Sequence, residues 1–525
     1  MAFVNENTYY KYMKNNNEKL FHEKYERAIN KAKSDFGIEI PLFINGEEYK
    51  SNNKILVKSP IDDRVVLGRV QNASRKHVLL AIKSANTAFV KWSRTNYKYR
   101  VNLFEKVAKS FRRKKLDLAA WLSYENGKNR YESIADIDEA IDFINYYCNE
   151  MERNNGFLSK NKKPTLDSKE DNVSILKPYG AWVIIAPFNF PAALLVGMSV
   201  GALITGNTVI IKPSSDTPII GYKIIELINK SGLPKGVMNY ITGFGPNIGT
   251  NLVSDKNVAG IVFTGSRDVG LMIAKDFNKN GPRPFIAEMG GKNPTIVTSN
   301  ADLNIAAEGI VQSAFSYSGQ KCSACSRVYV QEKVKDKLLA KLVQKTKLLH
   351  VGNPLGINTA LGPLINRNAL MRFKKYSNIA SNDGIILVGG KVVKDGPLSH
   401  GNYVEPTIVS DLPTSHVMLK TELFVPILCV ISYKDIKQAI HECNSSEYGL
   451  TAGIYSHNKY EIDQFLESIE SGVAYVNRIG ATTGAMVGCQ SFGGWKNSGI
   501  SGKGTGGKYY LTQFMREQNQ TIVDQ

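Results

Sequence analysis

The chain has 525 residues, 43% of them hydrophobic and 22% charged, with a formal net charge of +19. This balance excludes a disordered or fibrous chain and, at this length, points to about two to four domains. Six scattered cysteines form no disulfide framework, and residues 1–33 are polar throughout with no apolar signal core, so a reducing cytoplasm is the expected compartment.

The first ~40 residues read as polar helix. Pro41-Leu-Phe-Ile-Asn-Gly-Glu-Glu-Tyr49 reads as a short β-rich patch turning at Asn45-Gly46, and helices then run to about residue 154. One of them carries Val101, Leu103, Val107 and Phe111 on an apolar side, so the adjoining cluster Arg112-Arg-Lys-Lys115 reads as its solvated face. A second basic cluster, Ser159-Lys-Asn-Lys-Lys163, lies in a turn-rich stretch over 155–175 that suits an exposed hairpin. Neither has the pattern of a recognition helix or an RNA-binding motif, so no nucleic-acid partner is expected; the positive field suits an anionic small molecule.

From Pro178 to Ile211 no residue is charged, a run longer than the roughly 20 apolar residues of a membrane-spanning helix. Pro187, Asn189 and Pro191 interrupt it, and Gly201 and Gly206 follow. Strand at 181–186, helix at about 192–205 and strand at 208–211 make a buried βαβ unit, and no membrane partner is expected. Strands at 237–241, 260–263 and 286–288 continue a doubly wound α/β sheet. A second α/β series spans about 289–475, with strands at 295–297, 327–330, 425–431 and 474–477. The glycine-rich stretch 484–507 reads as loop, and 520–523 as an edge strand.

Two segments carry the chemistry: Ala287-Glu-Met-Gly-Gly-Lys-Asn293 and Phe315-Ser-Tyr-Ser-Gly-Gln-Lys-Cys-Ser-Ala-Cys-Ser326. Cys322 is a candidate nucleophile. Thiolate addition to an aldehyde gives a thiohemiacetal, and hydride loss leaves a thioester that water cleaves. Lys321 and a helix N-terminus would favour the thiolate. A buried structural thiol and a Cys322–Cys325 redox pair are the competing readings; zinc would need a second close cysteine pair, and no metal is expected. Glu288 ends an apolar strand before Gly290-Gly291 and is a candidate base, its pKa raised by desolvation; a capping or salt-bridged glutamate is the alternative. Asn189 lies in the loop after a strand, where an amide can face an oxyanion or serve only as a turn residue.

Lys212 stands at the carboxyl end of a strand, the ligand edge of such sheets. Phe263-Thr-Gly-Ser266 follows another strand, with Gly265 allowing close approach and Ser266 able to cap the helix that would face a pyrophosphate. Gly243-Phe-Gly-Pro-Asn-Ile-Gly249 differs by one residue from the usual dinucleotide fingerprint, and each of these glycines could equally serve a turn.

Pro187-Phe-Asn-Phe-Pro191, Lys212-Pro213, Phe263-Thr-Gly-Ser266, Glu288-Met-Gly-Gly-Lys292, Gly319-Gln-Lys-Cys322, Glu422-Leu-Phe424 and Ser491-Phe-Gly-Gly494, in that order, closely resemble the aldehyde dehydrogenase superfamily over about residues 40–520. The resemblance implies Cys322 as nucleophile, Glu288 as base, and Asn189 with the Cys322 N–H as oxyanion hole. It implies NAD, with NADP possible, held by Ile185, Ala186, Pro187, Phe188, Lys212, Ser215, Gly245, Gly249, Phe263, Thr264, Gly265, Ser266, Glu422 and Phe424. Gly319-Gln-Lys-Cys-Ser-Ala-Cys-Ser-Arg327 and the tail from Gly499 to Leu511 look like the 1-pyrroline-5-carboxylate dehydrogenase branch, which oxidises L-glutamate 5-semialdehyde in proline breakdown. In that branch Ser323, Gly506 and Gly507 would hold the substrate α-carboxylate, and Phe190 and Phe514 would sandwich its stem. Another small semialdehyde, such as succinate semialdehyde, is the rival substrate.

The implied architecture is a doubly wound cofactor domain with N-terminal helices (1–154 and 178–287), an α/β catalytic domain (288–480) and a substrate-anchor loop region (481–507). An oligomerisation hairpin (155–177 and 508–525) implies a homo-oligomer. Val425 stands where the superfamily usually has glycine, Ser491 where proline commonly precedes Phe-Gly-Gly, and Ser215 where NAD-preferring members often carry glutamate.

Overall fold

The computed structural model describes residues 3–166, 168–279 and 281–523; Met1, Ala2, Asp167, Asn280, Asp524 and Gln525, which fall within the expected units, lie outside them. Helices α1 (Thr8–Lys14) and α2 (Glu18–Ser34) come first. Short strands β1 (Ile38–Ile40), β2 (Leu42–Ile44), β3 (Glu47–Tyr49), β4 (Lys54–Lys58) and β5 (Val66–Gln71) follow. Three long helices, α3 (Arg75–Trp92), α4 (Tyr97–Asn126) and α5 (Arg130–Arg153), complete this region. The expected hairpin stretch holds β6 (Leu158–Lys160) and β7 (Glu170–Pro178).

The uncharged run resolves into β8 (Ala181–Ile185), α6 (Ala193–Ile204) and β9 (Thr208–Lys212), a buried βαβ unit. After it come α7 (Pro218–Asn229), β10 (Met238–Tyr240), α8 (Thr250–Ser254), β11 (Gly260–Thr264), α9 (Arg267–Phe277) and β12 (Phe285–Glu288). The resulting eight-stranded sheet has a parallel centre, β12-β11-β8-β9-β10, and gains β2 and β3 as antiparallel additions at one edge. Its central strands are apolar on both faces because helices cover both. Gly260 lies opposite Trp182 in the ladder, and a β-carbon there would fall 2.6 Å from the indole. Glycine is what admits the buried ring.

The second sheet is built from β13 (Asn293–Val297), β14 (Cys325–Gln331), β15 (Ile385–Val388), β16 (Thr407–Ser410) and β17 (Ile427–Tyr433), with β18 (Tyr448–Gly449) passing by and β19 (Thr451–Tyr455) and β20 (Val473–Val476) completing it. Its order is β15-β16-β17-β14-β13-β19-β20, parallel except for β15. The strand expected from Val425 starts at Ile427 instead, since Pro426 has no N–H for the ladder. Helix α10 (Leu303–Phe315), capped by the Asp302 carboxylate on the N–H groups of Asn304 and Ile305, packs on this sheet. From the glycine-rich stretch, β21 (Trp495–Lys496) pairs with β18, while β22 (Gly499–Ile500) pairs antiparallel with β12. Finally β23 (Met515–Val523), longer than the expected 520–523, pairs along all of β7. Among the described residues no helix is long and apolar enough to cross a membrane.

Helix α7 depends on a remote carboxylate. Glu125, fully buried near the end of α4, accepts from the N–H groups of Ile219 (2.6 Å) and Ile220 (2.7 Å), which the first turn of α7 cannot satisfy internally. Glu125→Ala should therefore cost roughly 2–5 kcal/mol, since each buried donor left unpaired costs about 1–3 kcal/mol. Glu125→Gln, which keeps an acceptor, should cost less. Urea unfolding followed by tryptophan fluorescence checks this; an unchanged midpoint in the alanine variant would contradict it.

Candidate active site

The two sheets bring three connections together. The first is the loop between β8 and α6, which holds Asn189, buried at 4% exposure, between Phe188 and Phe190. The second joins β12 to β13 through Gly290 and Gly291, directly after Glu288. The third leads from α10 to β14 and carries Cys322. There the backbone passes through left-handed conformations at Tyr317 (φ 51°), Ser318 (φ 53°) and Gly319 (φ 68°). Such conformations at non-glycine residues cost about 1–3 kcal/mol each and need outside support. The Tyr317 hydroxyl donates to the Asn126 carbonyl (2.9 Å) and the Ser318 hydroxyl to that of Gly362 (2.7 Å). The Gln320 side chain accepts from the Ile365 N–H (2.9 Å).

The Cys322 peptide is itself held. Asn293 donates its amide to the carbonyls of Cys322 (2.7 Å) and Ala324 (3.0 Å), and a β-carbon at Gly291 would lie 2.5 Å from the Cys322 oxygen. The double glycine therefore lets the base-bearing strand and the thiol-bearing turn touch.

Cys322, Ser323, Glu288, Phe190, Phe492 and Thr505 line one cavity of about 330 Å³, within the roughly 300–1,000 Å³ of small-molecule sites. Glu288 accepts from the N–H (3.2 Å) and hydroxyl of Thr505. Burial pushes its pKa up to about 7, against the opposing pull of those two donors. The residue is thus a base balanced near neutrality.

The thiol differs from expectation. Lys321 does not activate it: its ammonium is paired with Glu132 at 2.8 Å. Burial, then the carboxylates of Glu288 and Glu422, push the Cys322 thiol well above its ordinary value, opposed only by the N–H groups of Ser323 and Cys322. At rest it is protonated. Cys322 and Cys325 are both free thiols, and the buried Cys325 sulfur faces the Thr295 hydroxyl (3.2 Å) and the Arg327 carbonyl (3.6 Å).

Three substrate residues are placed differently from expectation. Phe514 is fully buried, its ring 4.8 Å from Trp182 and 5.3 Å from Tyr510, so it packs in the core and offers the cavity no surface. Phe492 lines the cavity together with Phe190. The N–H groups of Gly506 and Gly507 are already taken, by the Tyr147 hydroxyl (3.3 Å) and the Gly504 carbonyl (3.2 Å). Their neighbour Thr505 reaches the cavity instead. Ser323 is on the wall, as is Phe190, with the Lys128 ammonium 3.8 Å from its ring centroid. Sequence reading missed Thr505, whose only signal is a hydroxyl between the glycines of Gly504-Thr-Gly-Gly507. It also missed the acidic side of α5, where Asp138 and Asp142 are spaced four apart to share a helix face with Glu139 beside them.

Most candidate cofactor residues lie at the carboxyl edge of the first sheet, while Glu422 and Phe424 precede β17 of the second. Lys212 ends β9; its ammonium donates to the Pro213 carbonyl (3.2 Å), and burial lowers its pKa to about 8. The Ser215 hydroxyl donates to the Gly243 carbonyl (3.4 Å). Ile185 ends β8, and Ala186, Pro187 and Phe188 continue into the Asn189 loop. A β-carbon at Gly245 or Gly249 would meet nothing within 4 Å, leaving bare backbone beside open space. At Gly265 it would lie 2.6 Å from the Phe263 ring, so glycine lets Phe263-Thr264-Gly265 turn tightly into α9 at Ser266, its N-cap residue. Glu422 accepts from the Gly291 N–H (2.9 Å), and burial raises its pKa to about 7. Phe424, at φ 55°, meets Phe188 edge-on at 5.7 Å. Open backbone, a helix N-terminus and a cation along one edge, with the Glu422 carboxylate held at Gly291, fit a dinucleotide.

Because the Glu288 carboxylate opposes ionisation of the thiol, Glu288→Gln should lower the Cys322 pKa. Titration of thiolate absorbance against a Cys322→Ala control checks this; an unchanged or higher pKa would contradict the assigned electrostatics.

The aldehyde dehydrogenase family model matches residues 48–519. The chain is 38% identical over 499 residues to the 1-pyrroline-5-carboxylate dehydrogenase of Geobacillus kaustophilus, covering 94% of this chain and 95% of that protein. Among solved structures, 1-pyrroline-5-carboxylate dehydrogenase from Thermus with bound NAD superposes with a TM-score of 0.91 at 35% identity, covering 96% of both chains. Betaine aldehyde dehydrogenase from Staphylococcus aureus in complex with NAD+ reaches a TM-score of 0.88 at 26% identity, covering 95% of this chain and 97% of that one. With a thiol and a carboxylate converging on one cavity and the family model spanning nearly its whole length, the chain belongs to the aldehyde dehydrogenase family.

Proposed function

We propose that this protein oxidises L-glutamate 5-semialdehyde, the open form of 1-pyrroline-5-carboxylate, to L-glutamate with NAD. The observation that carries the reading is the shared cavity of Cys322 and Glu288, in a chain 38% identical to 1-pyrroline-5-carboxylate dehydrogenases. Glu288 takes the Cys322 proton as the sulfur adds to the aldehyde carbon, forming a C–S bond and an oxyanion. Asn189 and the Cys322 N–H are the donors for that oxygen, a contribution of roughly 2.7–4 kcal/mol for such a donor. NAD, when bound, accepts the hydride of the thiohemiacetal carbon. Lys212, Ser266, Glu422 and Phe424, with the backbone at Gly245 and Gly249, would hold it, and the uncharged Ser215 does not repel the extra phosphate of NADP. Glu288 first gives up that proton to solvent and then removes one from water, whose oxygen adds to the thioester carbon. The C–S bond breaks and the acid leaves.

The relatives named 1-pyrroline-5-carboxylate dehydrogenase favour this substrate over succinate semialdehyde. The exposed strand β23, paired with β7 on one side only, supports the hairpin as an assembly surface for a homo-oligomer. Six free thiols suit a reducing cytoplasm.

Cys322→Ala should abolish oxidation of glutamate semialdehyde while NAD still binds; turnover near wild type would sink the thioester route. The wild type should prefer glutamate semialdehyde to succinate semialdehyde by kcat/KM, and the reverse order would favour the rival. The pH profile offers a further check. Glu288 acts deprotonated, so the rate rises through its pKa of about 7. Thr505→Val removes the hydroxyl that opposes this rise, so the pKa climbs and the acid limb of kcat should move to higher pH. A limb that stays put, or moves down, would count against Glu288 as the base.

A further inference from the structure

We propose that residues Phe3 to Thr8 form a wall of the aldehyde cavity and that Asn5 sets how long a substrate the cavity admits. Asn5, Glu6 and Asn7 line the same cavity as Cys322 and Glu288. The Asn5 amide nitrogen donates twice, to Asp142 Oδ2 (3.1 Å) on α5 and to the Val487 carbonyl (3.0 Å) on the glycine-rich loop. Asp142 and Val487 both line the cavity. A single side chain thus joins its two outer walls.

The rest of the segment is fastened to the same helix. The Glu6 N–H donates to Asp142 Oδ1 (2.7 Å), and the Thr8 N–H and hydroxyl donate to the two oxygens of Asp138 (2.7 Å each). Lys115 donates to the Thr8 hydroxyl (2.6 Å), Asp138 (2.8 Å) and Glu6 (3.1 Å). At the other end the Phe3 ring meets Tyr146 edge-on at 5.3 Å. It also lies under Gly488, where a β-carbon would fall 3.0 Å from Phe3 Cε1. These contacts satisfy two carboxylates of α5 that are only 5% exposed, and charge-assisted hydrogen bonds of this kind are about twice as strong as neutral ones. The segment is a fixed boundary of the substrate space.

The wall rests on this geometry; only the choice of glutamate semialdehyde as the physiological substrate rests on the function proposed above. The test uses the full chain with NAD, glutamate semialdehyde and the straight-chain aldehydes from propanal to octanal. Asn5→Ala should raise the octanal-to-propanal ratio of kcat/KM about tenfold, in line with the roughly 10–200-fold worth of a methylene in a closed pocket. Asn5→Gln, which keeps the amide, should restore most of the wild-type ratio. An unchanged ratio in Asn5→Ala, or an equal fall for every aldehyde, would overturn the proposal. If the wild type oxidises the aliphatic series but not glutamate semialdehyde, the substrate reading fails while the ratio still decides the wall.

Discussion

The buried ion pair between Lys128 and Asp136 is the constraint on which the site rests. The two charged atoms are 2.9 Å apart, and neither side chain has any exposure. Asp136 also accepts from the Ala193 N–H (2.7 Å) at the first turn of α6, and Lys128 packs its ammonium on the Phe190 ring. The pair therefore grips the Asn189 loop at its far end and at its aromatic face. Leaving one such charge without its partner costs about 3–5 kcal/mol, whereas the intact pair adds little net stability. Its value is positional: Asn189, Phe190 and, through Phe188, the ring of Phe424 take their places from it.

Much of this arrangement was legible in the residues. The uncharged run 178–211 could only be a buried βαβ unit once Pro187 and Pro191 had broken it, and the strands facing helices on both sides announced themselves by continuous apolar runs. Glu288 and Cys322 were legible because their neighbours are small, so that two backbones can meet. The misplacements have a common cause. Phe514, Gly506 and Gly507 sit in a glycine-rich tail whose path no periodicity encodes, and there a shift of one or two residues decides which group faces the cavity. Strand β23 was read short for a related reason: Met515–Val523 is almost entirely exposed, so it shows no alternation of apolar and polar residues. The role of Lys321 was misread because its partner, Glu132, is far away in sequence.

Two departures from the superfamily pattern are absorbed without disturbing the site. Val425 lies outside the left-handed region, which falls on Phe424 instead, so glycine is not needed at that position. The Val425 carbonyl approaches Gly319, where a β-carbon would lie 2.8 Å from it. The demand for a bare backbone has passed to the thiol-bearing turn. Ser491, in place of proline, donates its hydroxyl to the Gly504 carbonyl (3.4 Å), joining the two arms of the tail that carries Thr505.

The protonated state of the Cys322 sulfur also bears on how the protein ages. Peroxides and other soft electrophiles attack the anion far faster than the neutral thiol, and damage to cysteine follows anionic character and access. A sulfur held neutral by its dry surroundings and by two adjacent carboxylates is chemically quiet between turnovers. The desolvation that keeps this thiol neutral thus also shelters it from oxidants.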